Sequence, residues 1–307
     1  MAVVISDISC AENYQKVAKF GATYGDPIVP ELGGCLTELD FNTIDAASVS
    51  IFYEAPLAAT TPASAPAVYG ESNTSQAVNT LKTVPMNNFF DKMTTMFGAQ
   101  LSSLPYDKGA VELSKLANKS AKQNANVEIA CLLTEGSTSK YTLAGTETDE
   151  EKLALQYKAV LTAIDTMRGY GCFPKVAIVS PTLYGYVVRI AGAALKSDEA
   201  NKRLIGYDIG FYNGIYWVMT PAIGALAPAA ISYYDYAGIP HSVTKAVLNT
   251  VDAIVIDGEF FCSIERINGF GLKDGGTNFN GVGATMNSQL GVRLLDAHAA
   301  YAVLPNS

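Results

Sequence analysis

A long stretch near the start of the chain contains no basic residue. No lysine or arginine occurs over the 62 residues from Phe20 to Leu81, although seven acidic residues do. Within it, Ala55–Asn79 is rich in alanine, serine, threonine and proline, and its only candidates for core packing are Leu57, Val68, Tyr69 and Val78. Such a segment has too little apolar surface to fold on itself. It is therefore either disordered or buried against another chain, and in the second case the protein is a building block.

Charge is distributed unevenly along the chain. The whole sequence has 21 basic and 29 acidic residues and a net charge of −8. Residues 1–81 contain two basic and nine acidic residues, whereas residues 82–122 contain six lysines and three acids. An acidic arm beside a basic segment predicts self-association, in which the arm of one copy lies on its neighbour. The alternative is an acidic surface that faces solvent and keeps the protein soluble.

Length and composition restrict the class of protein. A chain of 307 residues forms one large domain or two. Only 16% of its residues are charged, against a usual ~25%, which suits a surface covered by other subunits but also an ordinary α/β core. The acidic balance argues against tight, sequence-independent binding of nucleic acid.

The cysteines and the N-terminus indicate a compartment. Five scattered cysteines with no CxxC pair predict reduced thiols, as in a cytosolic protein. The N-terminus lacks the basic region of a signal peptide, and no apolar run is long enough to predict a membrane span.

The first third of the chain reads as an arm followed by a hairpin. Residues 1–36 are predicted to form an irregular arm with a helical stretch near Glu12–Phe20. The β-prone runs Ser48–Tyr53 and Ala65–Tyr69 flank a tip of proline and small residues, which predicts a projecting hairpin. A two-stranded hairpin is marginal in water, so a neighbour has to support it. Asn87–Leu104 then reads as a helix.

Local signals mark helices and strands in the rest of the chain. Apolar residues recur at helical spacing over Ala110–Thr134, and Gly136 follows as a helix stop. Thr148–Glu151 is a capping box, and Ser180 and Pro181 supply an N-cap and a first-turn proline. Further predicted elements are strands at Phe173–Val179, Ala230–Tyr234, Ala253–Asp257 and Phe260–Arg266, a hairpin turn at Asn213-Gly214, and a final extended element over Met286–Leu304. This order lacks the regular rhythm of a doubly wound sheet and predicts an α+β fold.

The sequence offers little chemistry. His241 and His298, the latter predicted within the last strand, have no local partner at metal-ligand spacing. The run Gly269–Gly283 does not join a strand to a helix as a phosphate-binding loop requires, so a flexible loop is predicted there. The adjacent acids at 149–151 lie in the first turn of a helix, where they offset its dipole. We therefore expect no cofactor, no metal and no catalytic activity.

Four segments carry a resemblance to a known family. NANVEIACLLTEG closes the long helix, and VLTAIDTMRGYGCFPKVAIVSPTLYGYVVRI reads as helix, strand, Ser-Pro and a second helix. LIGYDIGFYNGIYWVMTP and QLGVRLLDAHAAYAVL read as a hairpin and a closing strand that contains an arginine. In this order they resemble the major capsid protein of tailed bacteriophages, which has the Hong Kong 97-type fold. The resemblance covers about the whole chain and rests on the order of elements rather than on a sharp motif.

The resemblance implies an α+β fold with named parts. These are an N-terminal arm (1–36), an extended E-loop hairpin (37–88), a peripheral domain (89–149) with a spine helix (about 101–135), an axial domain (150–280) and a return to the peripheral domain (281–307). It also implies a structural protein that self-assembles into pentamers and hexamers of an icosahedral capsid around double-stranded DNA, with loose, non-specific contacts to the DNA. Portal and scaffold or decoration proteins would be further partners, without a membrane. The location would be the virion capsid, assembled in the cytoplasm of the bacterial host.

In this family the E-loop lies over the peripheral domain of a neighbouring subunit, which agrees with the charge pattern. We expect Glu54 and Glu71 to approach Lys82, Lys92 or Lys115 of an adjacent copy, in exposed pairs worth ~0.2–1 kcal/mol each. Some members cross-link subunits through an E-loop lysine and an asparagine. Here the loop has no lysine before the one at its base, so we predict no such covalent bond.

Two other functions stay open. An encapsulin-like bacterial nanocompartment shell would share this fold and enclose a protein cargo instead of DNA. An α+β enzyme is the alternative of a different class, although the sequence shows no set of acid, base, nucleophile or metal ligands for it.

Overall fold

The fold is described here from a computed structural model of the chain. The structure describes residues 48–54, 79–97, 108–197, 209–225, 227, 229–274 and 281–306. Within these ranges the strands are β1 (Ser48–Glu54), β2 (Asn79–Pro85), β3 (Asn88–Phe97), β4 (Ser137–Tyr141), β5 (Val176–Val179), β6 (Lys196–Ser197), β7 (Ile209–Tyr212), β8 (Ile215–Met219), β9 (Ile231–Tyr234), β10 (Pro240–Val243), β11 (Ala253–Ile256), β12 (Phe261–Asp274), β13 (Gly281–Leu294) and β14 (Ala300–Pro305). The α-helices are α1 (Lys108–Glu135), α2 (Asp149–Gly169), α3 (Pro181–Ala191) and α4 (Lys245–Thr250).

A seven-stranded mixed sheet forms the larger core. Its strands lie in the order β4-β14-β11-β5-β8-β7-β6. β11 pairs antiparallel with β14 and β5, whereas β5 pairs in parallel with β8. Every residue of β5 and β11 is buried, which is the pattern of central strands covered on both faces. α2 contacts β14 and β11, and α3 contacts β8.

The long helix α1 packs against a second, three-stranded sheet. This sheet has the order β12-β13-β3, its strands are antiparallel, and α1 contacts β13 most extensively. The predicted helix is confirmed, with Ile129 and Leu132 fully buried and its lysine face exposed. It ends where the Gly136 amide donates to the Leu132 carbonyl at 3.0 Å. A side chain at Gly136 would clash with that carbonyl. No helix within the described ranges is long and apolar enough to span a membrane.

The predictions that rest on local hydrogen bonds are confirmed. Thr148 Oγ1 accepts from the Glu151 amide at 3.3 Å, and a Glu151 carboxylate oxygen accepts from the Thr148 amide at 2.7 Å, so the capping box starts α2. The Ser180 hydroxyl caps α3 by accepting from the Leu183 amide. Asn213 and Gly214 have φ angles of 58° and 79°, as a two-residue type I′ turn between β7 and β8 requires.

The helix predicted over Asn87–Leu104 is wrong where the structure describes it. Residues 88–97 form β3, which pairs in unbroken register with β13. The segment is rich in phenylalanine, threonine and methionine, whose β propensity is realised when a partner strand is present. The cross-strand pairs therefore decide the conformation, and residues 98–104 lie outside the described part.

Two predictions near the C-terminus are also wrong. The loop predicted over Gly269–Gly283 is strand on both sides of residues 275–280, because β12 and β13 pair along this length. His298 lies in a 3₁₀ turn, Ala297–Ala299, that precedes β14 instead of alternating within it. The Asp296 carboxylate accepts a hydrogen bond from the His298 amide at 2.8 Å and starts this turn.

The predicted pairing of 48–53 with 65–69 is wrong, because the first strand pairs with a later segment of the chain. β1 pairs antiparallel with β2, from Ser48 opposite Pro85 to Glu54 opposite Asn79. The predicted partner, 65–69, lies outside the described residues, as does the predicted arm. β1 and β2 form a two-stranded sheet of their own, which we call the ribbon.

Strand pairing crosses the predicted domain limits near the C-terminus. β12, predicted in the axial domain, pairs with β13 and shares a sheet with β3. β14, predicted to return to the peripheral domain, pairs with β11 and β4 in the larger sheet. The division into domains itself stays a prediction.

Candidate assembly surface

The ribbon is attached to the rest of the protein along β2. β2 contacts β13, and Val84 belongs to a small buried cluster. The other members of this cluster are Met86, Cys262 and Ile264. Gly291 of β13 lies so close to the ribbon that a Cβ there would be 2.8 Å from the Pro85 carbonyl oxygen. The glycine therefore allows direct contact between β2 and β13.

Two cations hold this end of the ribbon. The Lys82 ammonium donates to the Leu295 carbonyl, and Nη1 of Arg293 donates to the Thr83 carbonyl at 2.5 Å. The same guanidinium lies over the ring of Tyr236, 3.9 Å from its centroid. Hydrogen bonds from charged donors are about twice as strong as neutral ones. These bonds join β2 to the end of β13, and we call this region the anchor.

Two carboxyl groups lie near these cations. The Leu294 amide donates to Glu135 at the end of α1, at 2.8 Å, and burial raises the pKa of Glu135. Burial, followed by the charge of Arg293, lowers the pKa of Lys82, while Asp296 and Glu135 oppose this shift. Both shifts are caused mainly by the loss of water around the groups.

A well-ordered turn connects β9 and β10 beside the anchor. Oδ1 of Asp235 accepts from the amides of Ala237 and Ile239, both at 2.8 Å, and Oδ2 lies 2.9 Å from Nε2 of His241. Burial acts to raise the pKa of Asp235, but these hydrogen bonds outweigh it and the pKa is lowered. The carboxylate therefore stays ionised at mildly acidic pH and continues to hold the turn.

Two asparagines tie this turn to the start of β3. Nδ2 of Asn87 donates to the Asp235 carbonyl at 2.7 Å. The buried Asn88 donates to the Tyr234 carbonyl at 3.0 Å and accepts from the Tyr234 amide at 2.8 Å. The ribbon, β3 and the β9–β10 turn are thus parts of one connected structure.

The fold has counterparts among solved structures. The chain is similar to the capsid of the cyanophage P-SCSP1u, with 13% identity, a TM-score of 0.51, and coverage of 85% of this chain and 84% of that one. It is also similar to the virus-like particle from Pyrococcus furiosus (13% identity, TM-score 0.53, 96% and 100% covered) and to the mature capsid of bacteriophage PhiM1 (14%, 0.52, 87% and 84%). The chain has a capsid-protein fold. No protein-family model and no curated protein sequence matches it.

The residues predicted to contact a neighbouring copy lie on separate elements of this capsid fold. Glu54 ends β1, Lys82 belongs to the anchor, Lys92 lies within β3, Lys115 is exposed on α1, and Glu71 lies outside the described residues. Contacts between copies stay a prediction.

Sequence reasoning missed the polar residues that hold the capsid fold together around the ribbon. Asn88 and Arg293 have partners 146 and 210 positions away, so no local pattern points to them. Asp235 could have been found in the sequence, because an aspartate followed three positions later by a glycine is a turn signal. In the structure that glycine has a φ of 76°.

A buried carboxyl group joins three elements of the larger sheet. Asp252, next to β11, accepts from the Tyr141 hydroxyl of β4 at 2.6 Å and from the Gln156 amide of α2 at 2.9 Å. Burial raises the pKa of Asp252 to about 6 and also raises that of Tyr141. Both carboxyl oxygens accept hydrogen bonds from the same chain, so the group links β4 and α2 to the start of β11.

The described ranges contain no cluster of three or more His, Cys, Asp or Glu residues that could hold a metal ion. The thiols of Cys131 and Cys172 are buried, which raises the pKa of both, that of Cys172 to about 11. Such thiols are protonated at neutral pH and unreactive.

Proposed function

We propose that this chain is the shell subunit of a capsid with Hong Kong 97-type organisation. It self-assembles into pentamers and hexamers of an icosahedral particle that encloses double-stranded DNA, with portal and scaffold or decoration proteins as further partners. Its place is the virion, after assembly in the host cytoplasm. The observation that supports this best is a capsid-protein fold from which a firmly anchored, two-stranded ribbon extends.

The ribbon is the part that needs other copies. Two strands alone are marginally stable in water, so a neighbour that covers the ribbon stabilises it. The ribbon corresponds to the E-loop over 37–88, and α1 to the spine helix of about 101–135. The larger sheet corresponds to the axial domain, and the sheet that contains β3 to the peripheral domain.

Charged residues contribute to this contact. Glu54 and Glu71 approach lysines of the adjacent copy. The candidates are Lys92 in β3, the exposed Lys115 on α1 and Lys82 at the anchor. Each exposed pair adds only ~0.2–1 kcal/mol, so repeated burial of surface supplies most of the stability. No isopeptide bond is formed, since the loop has no lysine before Lys82 at its base.

Electron microscopy of the expressed protein tests this function. Closed shells of uniform size, built from five- and six-fold units, are expected. A chain that remains monomeric at high concentration, with a folded circular-dichroism spectrum, would contradict the proposal. Particles isolated from host cells together with the packaging proteins are expected to contain nuclease-protected DNA.

A second candidate is a nanocompartment shell with a protein cargo. The similarity to a virus-like particle from Pyrococcus furiosus, over 96% of this chain and 100% of that one, keeps it open. Its particles would contain a protein of defined mass and no protected DNA, so mass spectrometry and nuclease treatment of purified shells distinguish the two.

A further inference from the structure

One face of the long helix α1 carries a row of lysines. Lys115, Lys119 and Lys122 are all exposed, and we call these three residues the lysine row. At about 100° per residue, they lie within about 60° of one another around the helix axis. Lys108 and Glu112 share this face by position, so the face has four lysines and one acid over about 21 Å of helix.

The rest of the described helix faces the fold. Leu116 and Asn124 are buried, and so is every residue from 127 to 132, where α1 packs on β13 and β9. Up to residue 126, the exposed side chains that the structure describes on α1 are the three lysines. Neutral polar residues, or both charges interspersed, would make this face equally soluble. A row of one sign therefore indicates an anionic partner.

The row also lacks carboxylate partners that other exposed cations have. Among the described residues, no ion pair includes Lys119 or Lys122. The later acids of α1 lie elsewhere, because Glu128 is fully buried and Glu135 accepts from the Leu294 amide. The exposed cations that do pair are Lys152 with Asp149 at 3.5 Å, Arg168 with Asp165 at 3.5 Å, Lys175 with Glu259 at 3.6 Å and Arg189 with Glu150 at 3.9 Å.

We infer that the lysine row is the surface through which the subunit contacts packaged double-stranded DNA, an inference that rests on the proposed function. A chain with a net charge of −8 repels DNA over most of its surface, so close approach requires a place where the sign is reversed. The row is such a place. Contacts between lysines and phosphates do not depend on base sequence, as a shell around DNA of any sequence requires.

Charge density favours DNA over the acidic segment of a neighbouring copy. From Lys115 to Lys122 the row extends over about 10 Å, and double-stranded DNA carries about six phosphate charges along that length. The segment from 20 to 81 has seven acids in 62 residues, and an extended chain covers about 10 Å with about three residues. Its closest acids, Glu38 and Asp40, bring only two charges to the row. Lys82 and Lys92 remain for contacts between copies.

DNA binding by free subunits tests this inference. The row variant combines Lys119→Gln and Lys122→Gln. The control combines Lys158→Gln and Lys245→Gln, which replace exposed lysines of α2 and α4. Each variant loses two positive charges, so a difference between them reflects the position of the charges and not their total. The probe is a short fluorescent DNA duplex of mixed sequence, and binding is measured by fluorescence anisotropy.

The salt dependence of binding gives the expected size of the effect. With three phosphates contacted, the wild-type affinity is expected to fall about 40-fold between about 50 and 200 mM salt. The row variant keeps one of the three lysines, so its affinity is expected to fall only about 3- to 4-fold, whereas the control follows the wild type. All three proteins are expected to share one urea midpoint, because the replaced side chains are exposed. Equal salt dependence for the three, or no binding by the wild type, would overturn the inference.

A second measurement uses wild-type particles and does not depend on how the variants fold. Lysines are acetylated with a small reagent that enters the shell, and mass spectrometry compares DNA-filled particles with shells assembled without DNA. Lys119 and Lys122 are expected to react several-fold less in the filled particles, because phosphates cover them. Lys158 and Lys245 are expected to react equally in both.

This comparison separates the inference from the proposed function. A row that is protected in empty and filled shells alike would be covered by a neighbouring subunit, and the inference would be wrong. DNA-filled shells with a freely reacting row contradict the inference alone. A chain that forms no shells, or shells that enclose a protein and no DNA, contradicts the proposed function as well.

Discussion

Replacing Asp252 by asparagine is expected to stabilise the subunit at neutral and alkaline pH. The carboxyl lies between β4, α2 and β11, where Tyr141 and Gln156 donate to its two oxygens at 2.6 and 2.9 Å. Burial outweighs these bonds and raises the pKa from an ordinary 3.8 to about 6. Since one pKa unit corresponds to about 1.4 kcal/mol, ionising Asp252 in the folded protein costs about 3 kcal/mol more than in the unfolded chain.

The sign and the pH range follow from proton binding by the two states. Below about pH 4 the carboxyl is protonated in both, and ionisation costs nothing. Between about pH 4 and 6 the unfolded chain releases the proton that the folded chain keeps, so the free energy of unfolding falls as the pH rises. Above about pH 6 both states are ionised, and the free energy of unfolding falls no further. Asparagine does not ionise, and the Gln156 side chain can turn its carbonyl oxygen toward the new amide.

Urea unfolding of free subunits, followed by circular dichroism at pH 4 to 8, checks this prediction. The variant Asp252→Asn is expected to match the wild type near about pH 4 and to exceed it by up to about 3 kcal/mol at pH 8. Asp165→Asn is the control, because Asp165 is exposed on α2, the helix that also carries Gln156, and is expected to change stability by less than about 0.5 kcal/mol. A variant less stable than the wild type at pH 8 would refute the reasoning, since the hydrogen bonds of the carboxylate would then outweigh its burial.

Three further predictions concern the ribbon and the particle. Replacing residues 55–78 by Asn-Gly, between the paired Glu54 and Asn79, is expected to leave folded subunits that form no shells in electron micrographs; normal shells would remove the loop from the assembly mechanism. Gly291→Ala is expected to lower the free energy of unfolding by about 1–3 kcal/mol, because its Cβ would lie 2.8 Å from a ribbon carbonyl oxygen. The control Gly185→Ala, in the open surroundings of α3, is expected to raise the free energy of unfolding by about 0.5–1 kcal/mol. Equal urea midpoints for Gly291→Ala and Gly185→Ala would contradict the expected difference. Mature particles are expected to run as one band on a denaturing gel, because the loop has no lysine before Lys82 at its base, and a covalent ladder would disprove this.

The sequence predicted the elements whose deciding bonds are local. The capping box at Thr148–Glu151, the N-cap at Ser180 and the turn at Asn213-Gly214 each depend on residues within four positions of one another. The long helix was predicted to within two residues at each end, because its apolar spacing and Gly136 lie in one continuous segment.

Elements that depend on distant partners were predicted less well. The residues of β3 fit a helix as well as a strand, and the choice is made by β13, whose paired residues lie near 281–290. The glycine-rich run of β12 and β13 was interpreted as a loop because it does not join a strand to a helix as a phosphate-binding loop requires, yet the two strands support each other through continuous pairing. For the candidate surface, the sequence supplied the lysines and acids but neither Arg293 nor Asn88.

The sequence by itself determined that helices and strands are mixed and predicted that an acidic, lysine-free segment is either disordered or buried against another chain, since charge, composition and helix caps are properties of neighbouring residues. Only the tertiary structure decided which strand pairs with β1 and how Lys82 and Arg293 anchor the ribbon. The physical reason is the range of the interactions. A cap or turn is completed within a few residues, whereas cross-strand pairs and surface patches exist only after the fold has brought distant parts of the chain together.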